Sequence, residues 1–356
     1  MDLKRVYLEV KMKYNYVFFN VPDSRWGRAQ DGYYTICLED LNGMENVQIV
    51  AKPMEHKSKL LQLARRIHYS GSLNKILRWR KNSIWYPYWM KLKFKDKEPL
   101  CFIFCCGYEE LGYMKYLRKK YPNCRIVKLH RDVMEVFLRG HQEFEPFYKE
   151  KNYPFDLLYS YDEGEAAKYN AKAFSEFESK IDIEISEDYP LCDVFFAGRA
   201  KDRLPMLMEA YHKFTQAGLT VQYYLTGVSN EAREPYPGII YADDIMSYHE
   251  MLYRSVNARC MLEINQEGAV GYTSRFLEAV MYNKKLITDN CSIEESKFYN
   301  PQFIQCVKDV ADIDPAFVRR DDIVDYHYNN EFSPIHLIEQ IDRDLCELDE
   351  KQGCNE

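Results

Sequence analysis

Apolar positions along the chain fall into two kinds of run. Short, nearly unbroken stretches rich in β-branched and aromatic residues occur at Tyr16–Val21, Val47–Val50, Leu100–Cys106, Arg125–Leu129 and Phe155–Tyr159, and again at Asp193–Ala197, Val221–Leu225, Gly238–Tyr241, Cys260–Ile264 and Lys285–Thr288. Between them apolar residues recur at helical spacing, which predicts β-α-β units and parallel sheets covered on both faces. Two such series predict two sheets. The clearest helix follows Asp193–Gly198: Leu204, Leu207, Met208, Tyr211 and Phe214 share a face, Asp202 is placed to cap its start, and Gly218 to close it. Further helices are predicted from Ser247, from Ser274 and, with Ile335, Leu337, Ile338, Ile341 and Leu345, at the C-terminus.

At 356 residues the chain suits two domains, taking ~150 residues per domain. The polar stretch Lys168–Lys180 reads as the end of the first. The expected organisation is 1–185, an acceptor-side Rossmann-like domain; 186–330, a donor domain; and 331–356, a helix packing back toward the first domain. Charge divides the same way. Residues 1–190 carry 32 Lys+Arg against 27 Asp+Glu, and 191–356 carry 16 against 28. A basic half inside a chain of net charge −7 argues against general nucleic-acid binding, which needs a domain-wide positive field. The longest apolar run, Pro99–Gly107, falls short of the ~20 residues of a membrane helix, and the lysine-studded N-terminus does not read as a signal peptide. Eleven cysteines without paired metal spacing suit a reducing, cytoplasmic compartment.

The most informative segment is CMLEINQEGAVGYTSRFLEAVMYNKKLITDN, Cys260–Asn290: a strand, a loop with two glycines, a helix start and another strand. Gly268 and Gly271 allow backbone N–H groups to approach an anion, and Tyr272, Thr273, Ser274 and Arg275 lead into a helix whose dipole favours a diphosphate. Glu278, one turn in, falls on the Ser274 face, away from Leu277, Val280 and Met281, and so is expected to face ligand. Gln266 and Glu267 lie at the strand's carboxyl edge, where ligands of such sheets bind. A second candidate is FFAGRAKDR, where Gly198 ends a strand and Arg199 and Lys201 could pair with phosphate oxygens. A third is YADDIMSYHEMLYRSV, with Tyr241, Asp243 and Tyr248; capping by Asp243 or Asp244 is its simpler explanation.

These segments resemble the donor site of GT-B glycosyltransferases, and among them the bacterial capsule and lipopolysaccharide transferases. The match runs through EINQEGAVGYTSRFLEAV and KKLITDN and loosely over 190–345. The resemblance implies an α/β fold of two Rossmann-like domains with parallel sheets facing across a cleft, a nucleotide diphosphate sugar as donor and no other cofactor. It also implies that Glu278 reads the ribose and Glu267 the donor sugar, although the two stand farther apart than the family's acidic pair. The acceptor implied is a hydroxyl of a surface polysaccharide or a lipid-linked precursor.

The first half is less legible. It has no G-x-G-x-x-G and no P-loop. Candidate bases are Asp23 and Asp31, with Arg25 and Arg28 in the same loop, and Asp132 beside His130 and Arg131; Tyr161, Asp162 and Glu163 are further cleft candidates. Residues 57–97 hold twelve Lys+Arg against Asp96 alone, interleaved with Trp79, Trp85 and Trp89. That composition suits anionic headgroups at the inner face of the plasma membrane, or else a solvated basic face whose rings fill the core. No metal site is expected, since the D-x-D at Asp312 and Asp314 lies late and before Pro315. The alternatives are a GT-B nucleotide-sugar epimerase and a non-catalytic glycosyltransferase-like scaffold.

Overall fold

A computed structural model describes residues 12–20, 32–51, 58–68, 92–95, 97–105, 111–131, 134–265 and 271–353. Asp23, Asp31, Asp132, Gln266, Glu267 and Gly268, and most of 57–97, lie outside these residues.

The first half runs β1 (Asn15–Asn20), α1 (Tyr33–Ile36), β2 (Val47–Ala51), α2 (Lys59–His68), β3 (Leu100–Phe104), α3 (Leu111–Lys120), β4 (Arg125–His130), α4 (Met134–Gly140), α5 (Glu145–Glu150), β5 (Leu157–Ser160), α6 (Glu163–Tyr169) and β6 (Lys172–Ala173). The second runs β7 (Cys192–Arg199), α7 (Leu204–Gln216), β8 (Val221–Thr226), β9 (Ile239–Ala242), α8 (Tyr248–Asn257), β10 (Ala258–Glu263), α9 (Ser274–Met281), β11 (Lys285–Thr288), β12 (Ile304–Cys306), α10 (Ala316–Arg319) and α11 (Pro334–Gly353). The strands form two six-stranded sheets, ordered β2-β1-β3-β4-β5-β6 and β12-β11-β10-β7-β8-β9. Every pairing is parallel. The fold is therefore α/β, with two Rossmann-like sheets. Strands β6 and β12 had no counterpart in the apolar pattern: at two and three residues they are too short to show a period.

The chain divides into two compact units. One holds β1, residues 40–174 and α11; the other holds 32–39 and 175–333. The crossing thus falls at Phe174 and Ser175, ahead of the expected 185, and α1 belongs with the second unit although it follows β1 in sequence. Within the first unit, α11 buries Ile335, Leu337, Ile338, Ile341 and Leu345. Its aspartates fasten it to strand residues. Asp342 accepts from the backbone N–H of Lys13 at 3.0 Å and from the Tyr16 hydroxyl at 2.5 Å. Asp344 accepts from Lys172 at 2.6 Å and from Tyr159.

In the second unit α7 turns Leu207, Ala210, Tyr211 and Phe214 into the core, each large side chain contributing roughly 1.5–3 kcal/mol by burial. Gly218 ends it at φ +75°; its N–H bonds the Thr215 carbonyl at 2.9 Å and that of Leu219 bonds Phe214 at 3.0 Å. This paired arrangement needs a left-handed residue after the helix. The entry differs from expectation. Asp202 does not cap α7: the helix continues from a 3-10 turn at Lys201–Arg203 and starts with Pro205 in its first turn, whose fixed φ pre-forms the helix without a side-chain cap.

Candidate functional site

In the second sheet the strand order reverses between β7 and β10: one series proceeds outward through β8 and β9, the other through β11 and β12. Such a switch point opens a crevice beyond the carboxyl ends of the two strands, because the loops that follow them run in opposite directions.

One arginine joins the two strand ends and a second ties α9 to β7. Arg203 donates from Nη1 to the Ile264 carbonyl at 2.6 Å, just past β10, and from Nη2 to the Arg199 carbonyl at the end of β7. Its guanidinium sits 5.5 Å from the centre of the Phe196 ring, and burial holds its pKa below the ordinary arginine value. Arg203 Nε is buried without a hydrogen-bond partner. Arg275, in the first turn of α9, donates to the Ala197 carbonyl at 3.1 Å and to Glu278 at 2.5 Å.

Behind the arginines lies a buried polar cluster. The Tyr248 hydroxyl is 2.9 Å from Glu278 and also bonds Glu178. Both carboxylates are fully buried. Burial pushes the Glu278 carboxyl above its ordinary value, opposed by the Arg275 charge and by hydrogen bonds from Tyr248 and Arg275. Tyr33 of α1 packs edge-on against Tyr248 with ring centres 5.0 Å apart. The periodicity placed Glu278 on an open face of α9; the structure corrects this. Every residue from Phe276 to Met281 is buried, and Glu278 is covered by Tyr248, which Glu178 holds from the other side.

The loop between β10 and α9 is fixed at both ends by neighbouring residues that follow β11. The Asn265 N–H donates to Asp289 at 2.8 Å, and the Asn290 amide donates to the Gly271 carbonyl at 2.7 Å. Gly271 takes φ +102°, open to glycine at little steric cost. Thr273 caps α9, accepting from the N–H groups of Arg275 and Phe276, and donates its own proton to Glu263. Glu263 ends β10, and the parallel register sets it opposite Thr288, whose hydroxyl donates to it at 2.5 Å. Burial pushes the Glu263 carboxyl up, while both threonine hydroxyls oppose the shift.

Of the sequence candidates, Gly198, Tyr248, Thr273, Ser274, Arg275 and Glu278 come together at this switch point. Tyr272 packs on Phe276, ring centres 4.9 Å apart. The Arg199 side chain at the end of β7 and the Lys201 side chain on the turn after it are exposed. Tyr241 lies within β9, on the far side of β8 from β7. Asp243 pairs with Arg233 and caps nothing; Ser247 caps α8, accepting from Glu250 N–H at 3.1 Å. In the first unit Asp162 is the cap of α6, accepting from Glu165 N–H at 2.7 Å, and His130 is buried with Nε2 2.5 Å from the Tyr148 hydroxyl. Burial, with Lys128 and His141 nearby, holds that imidazole well below its ordinary pKa and therefore neutral.

Sequence reasoning missed Arg203, Glu263, Asp289 and Asn290 as site residues. Three of them carried a readable signal: each is a polar residue at the carboxyl end of an otherwise apolar strand. Arg203 carried none beyond its place in a cationic turn.

No protein-family model and no curated protein matches this sequence. Solved structures do match by fold. An alpha-glucosyltransferase in complex with UDP and a 13-mer DNA containing a HMU base is similar at TM-score 0.52 and 13% identity, over 92% of this chain and 98% of that one. The fold is GT-B. An alpha,alpha-trehalose 6-phosphate synthase from Burkholderia multivorans is similar at TM-score 0.48 and 10% identity, over 97% of this chain and 100% of that one. A putative UDP-N-acetylglucosamine 2-epimerase from Listeria monocytogenes is similar at 0.47 and 10%, over 94% and 97%.

Proposed function

We propose that this chain is a glycosyltransferase that moves a sugar from a nucleotide diphosphate sugar to an acceptor hydroxyl. The observation that carries the reading is the pair Arg203 and Arg275 spanning a Rossmann-type switch point, beside a helix N-terminus entered through Gly271. A diphosphate bound there meets guanidinium forks, the exposed Arg199 and Lys201 and the dipole of α9. That the similar alpha-glucosyltransferase was solved with UDP supports a nucleotide ligand.

In this reading buried Glu278 holds Arg275 in place, and Arg275 and Arg203 meet the leaving diphosphate. Catalysis is positioning plus stabilisation of the departing charge. The protein's own cations offset that charge, so transfer proceeds without a metal. Gln266 and Glu267 would contact the donor sugar, and the acceptor base would come from Asp23, Asp31 or Asp132.

For the acceptor we propose a surface glycan or lipid-linked precursor reached at an anionic membrane face. Supporting this, Leu60, Leu63 and Ile67 of α2 stand 77%, 56% and 42% exposed within the basic stretch 57–97. Among the described residues no helix is long and apolar enough to cross a membrane.

The test is incubation of the purified protein with a panel of nucleotide sugars and lipid-linked or oligosaccharide acceptors in excess EDTA. Nucleoside diphosphate release that depends on an acceptor supports the reading. Release of free sugar without acceptor favours the epimerase class, transfer to DNA alone overturns the acceptor assignment, and turnover restored only by Mg²⁺ or Mn²⁺ overturns metal independence.

A further inference from the structure

The first unit has a second cluster of cations, at the opposite edge of its own sheet from the carboxyl ends of the strands. A cleft of about 430 Å³ opens beside the amino ends of β1, β3 and β4. Lys13, Lys97, Arg118 and Arg125 line it, and Asp349 of α11 is the one carboxylate among its described lining residues.

The two guanidinium groups are held in place from behind. Asp156 takes Arg118 at 2.9 Å and Arg125 at 3.1 Å. Asp349 accepts from Lys13 and from the Tyr14 hydroxyl, each at 2.5 Å, and from Arg125. These two carboxylates serve three cations, and Lys97 adds a fourth to a lining that is mainly cationic. Lys13 and Arg118 keep 48% and 40% of their side-chain surface open. A cationic fork already fixed by carboxylates loses little side-chain entropy when an anion arrives. The remaining wall is Tyr14, Pro99, Pro122, Asn123 and Cys124, in which the two prolines offer apolar surface to the uncharged body of a ligand.

We propose that this cleft binds a small phosphorylated molecule, its phosphate between Lys97, Arg118 and Lys13 and its body against the two prolines. A phosphate dianion suits this cationic lining, and its oxygens suit a guanidinium fork with flanking ammonium groups. A cleft of this volume holds a sugar phosphate or a similar metabolite. The site is separate from the nucleotide site proposed at β7 and β10, and its occupant is separate from the donor.

The test is isothermal titration of the full chain with pyrophosphate and with inorganic phosphate. Lys97→Glu and the milder Lys97→Ser alter the cleft at a residue outside the ion pairs that hold α11, and circular dichroism verifies that both variants fold. Arg203→Ala removes the other cationic site. The expected result is binding to the parent, weakened at least tenfold by Lys97→Glu and by a smaller factor in Lys97→Ser, with one pyrophosphate still bound by Arg203→Ala. No binding to the parent at millimolar probe, equal binding by both Lys97 variants and parent, or complete loss in Arg203→Ala would each overturn the proposal and leave these cations the single task of holding α11.

Discussion

Arg275 and Glu278, three residues apart on α9, form an ion pair at 2.5 Å in which Glu278 has no exposed side-chain surface. The same guanidinium reaches the Ala197 carbonyl on β7. One side chain thus ties buried Glu278 to the strand across the switch point, so stability and the placement of Arg275 for a ligand are coupled here.

Glu278→Gln keeps the shape of the side chain and leaves Arg275 without its counter-charge. Removing one partner of a buried pair costs about 3–5 kcal/mol; the retained amide oxygen and the part-open Arg275 place the expected loss nearer 1–3 kcal/mol. Thermal unfolding should drop by several degrees, and nucleotide affinity should fall at least tenfold. An unfolding midpoint unchanged from the parent would show that the pair contributes nothing.

Thr273→Ala removes the cap of α9 and one of the two hydroxyls on the buried Glu263. Loss of the cap alone costs ~1 kcal/mol, and the buried carboxylate left with fewer donors adds to it. Thr273→Ser keeps both bonds and should restore stability in chemical denaturation. A serine variant as unstable as alanine would assign the effect to packing of the methyl group.

Asn290→Ala frees the Gly271 carbonyl and also removes the acceptor for the Ser292 N–H and hydroxyl at the turn that follows. About 1 kcal/mol of stability is at stake, yet the loop before α9 loses one of its two anchors. Nucleotide affinity should therefore fall by more than stability does, measured as dissociation constant against unfolding free energy. A variant with unaltered affinity would show that the anchor does not position the loop.

Much of this was legible in the sequence, for physical reasons. Buried parallel strands are continuously apolar, so ten of the twelve strands could be placed; β6 and β12 could not, since two or three residues carry no pattern. Gly271 and α9 were readable because a glycine ahead of a run of helical periodicity marks a helix entry. What stayed hidden depends on register across the sheet. Glu263 finds Thr288 only because β10 and β11 pair in that alignment, and Asp289 finds Asn265 the same way. Glu278 was assigned to an open face because helical periodicity shows which side of a helix is apolar but not what covers the polar side; here the cover is Tyr248 and Glu178.

Acid should release α11 through Asp349. Against the effect of burial, hydrogen bonds from Lys13, Tyr14 and Arg125 hold its carboxyl below the ordinary value. A depressed carboxylate contributes stability above its unfolded pKa of about 3.9 and loses it as pH falls through the folded value. Asp349→Asn should be less stable than the parent at pH 7, by about 1–3 kcal/mol, and the gap should close as pH falls from about 5 toward 2. Glu263 and Glu278 act with the opposite sign, since burial raises both. A gap independent of pH in denaturant titrations would exclude Asp349 as the titrating group.

The central claim is that the switch point between β7 and β10 holds a nucleotide diphosphate through Arg203 and Arg275. Calorimetric titration of the parent and of Arg203→Ala with a panel of nucleoside diphosphates tests it most directly. The account predicts that the parent binds at least one of them and that the folded variant binds it ten- to a hundredfold more weakly, as the loss of a charge-assisted contact worth ~1.5–3 kcal/mol requires. A parent that binds no nucleotide, or a folded Arg203→Ala that binds as tightly as the parent, would contradict it.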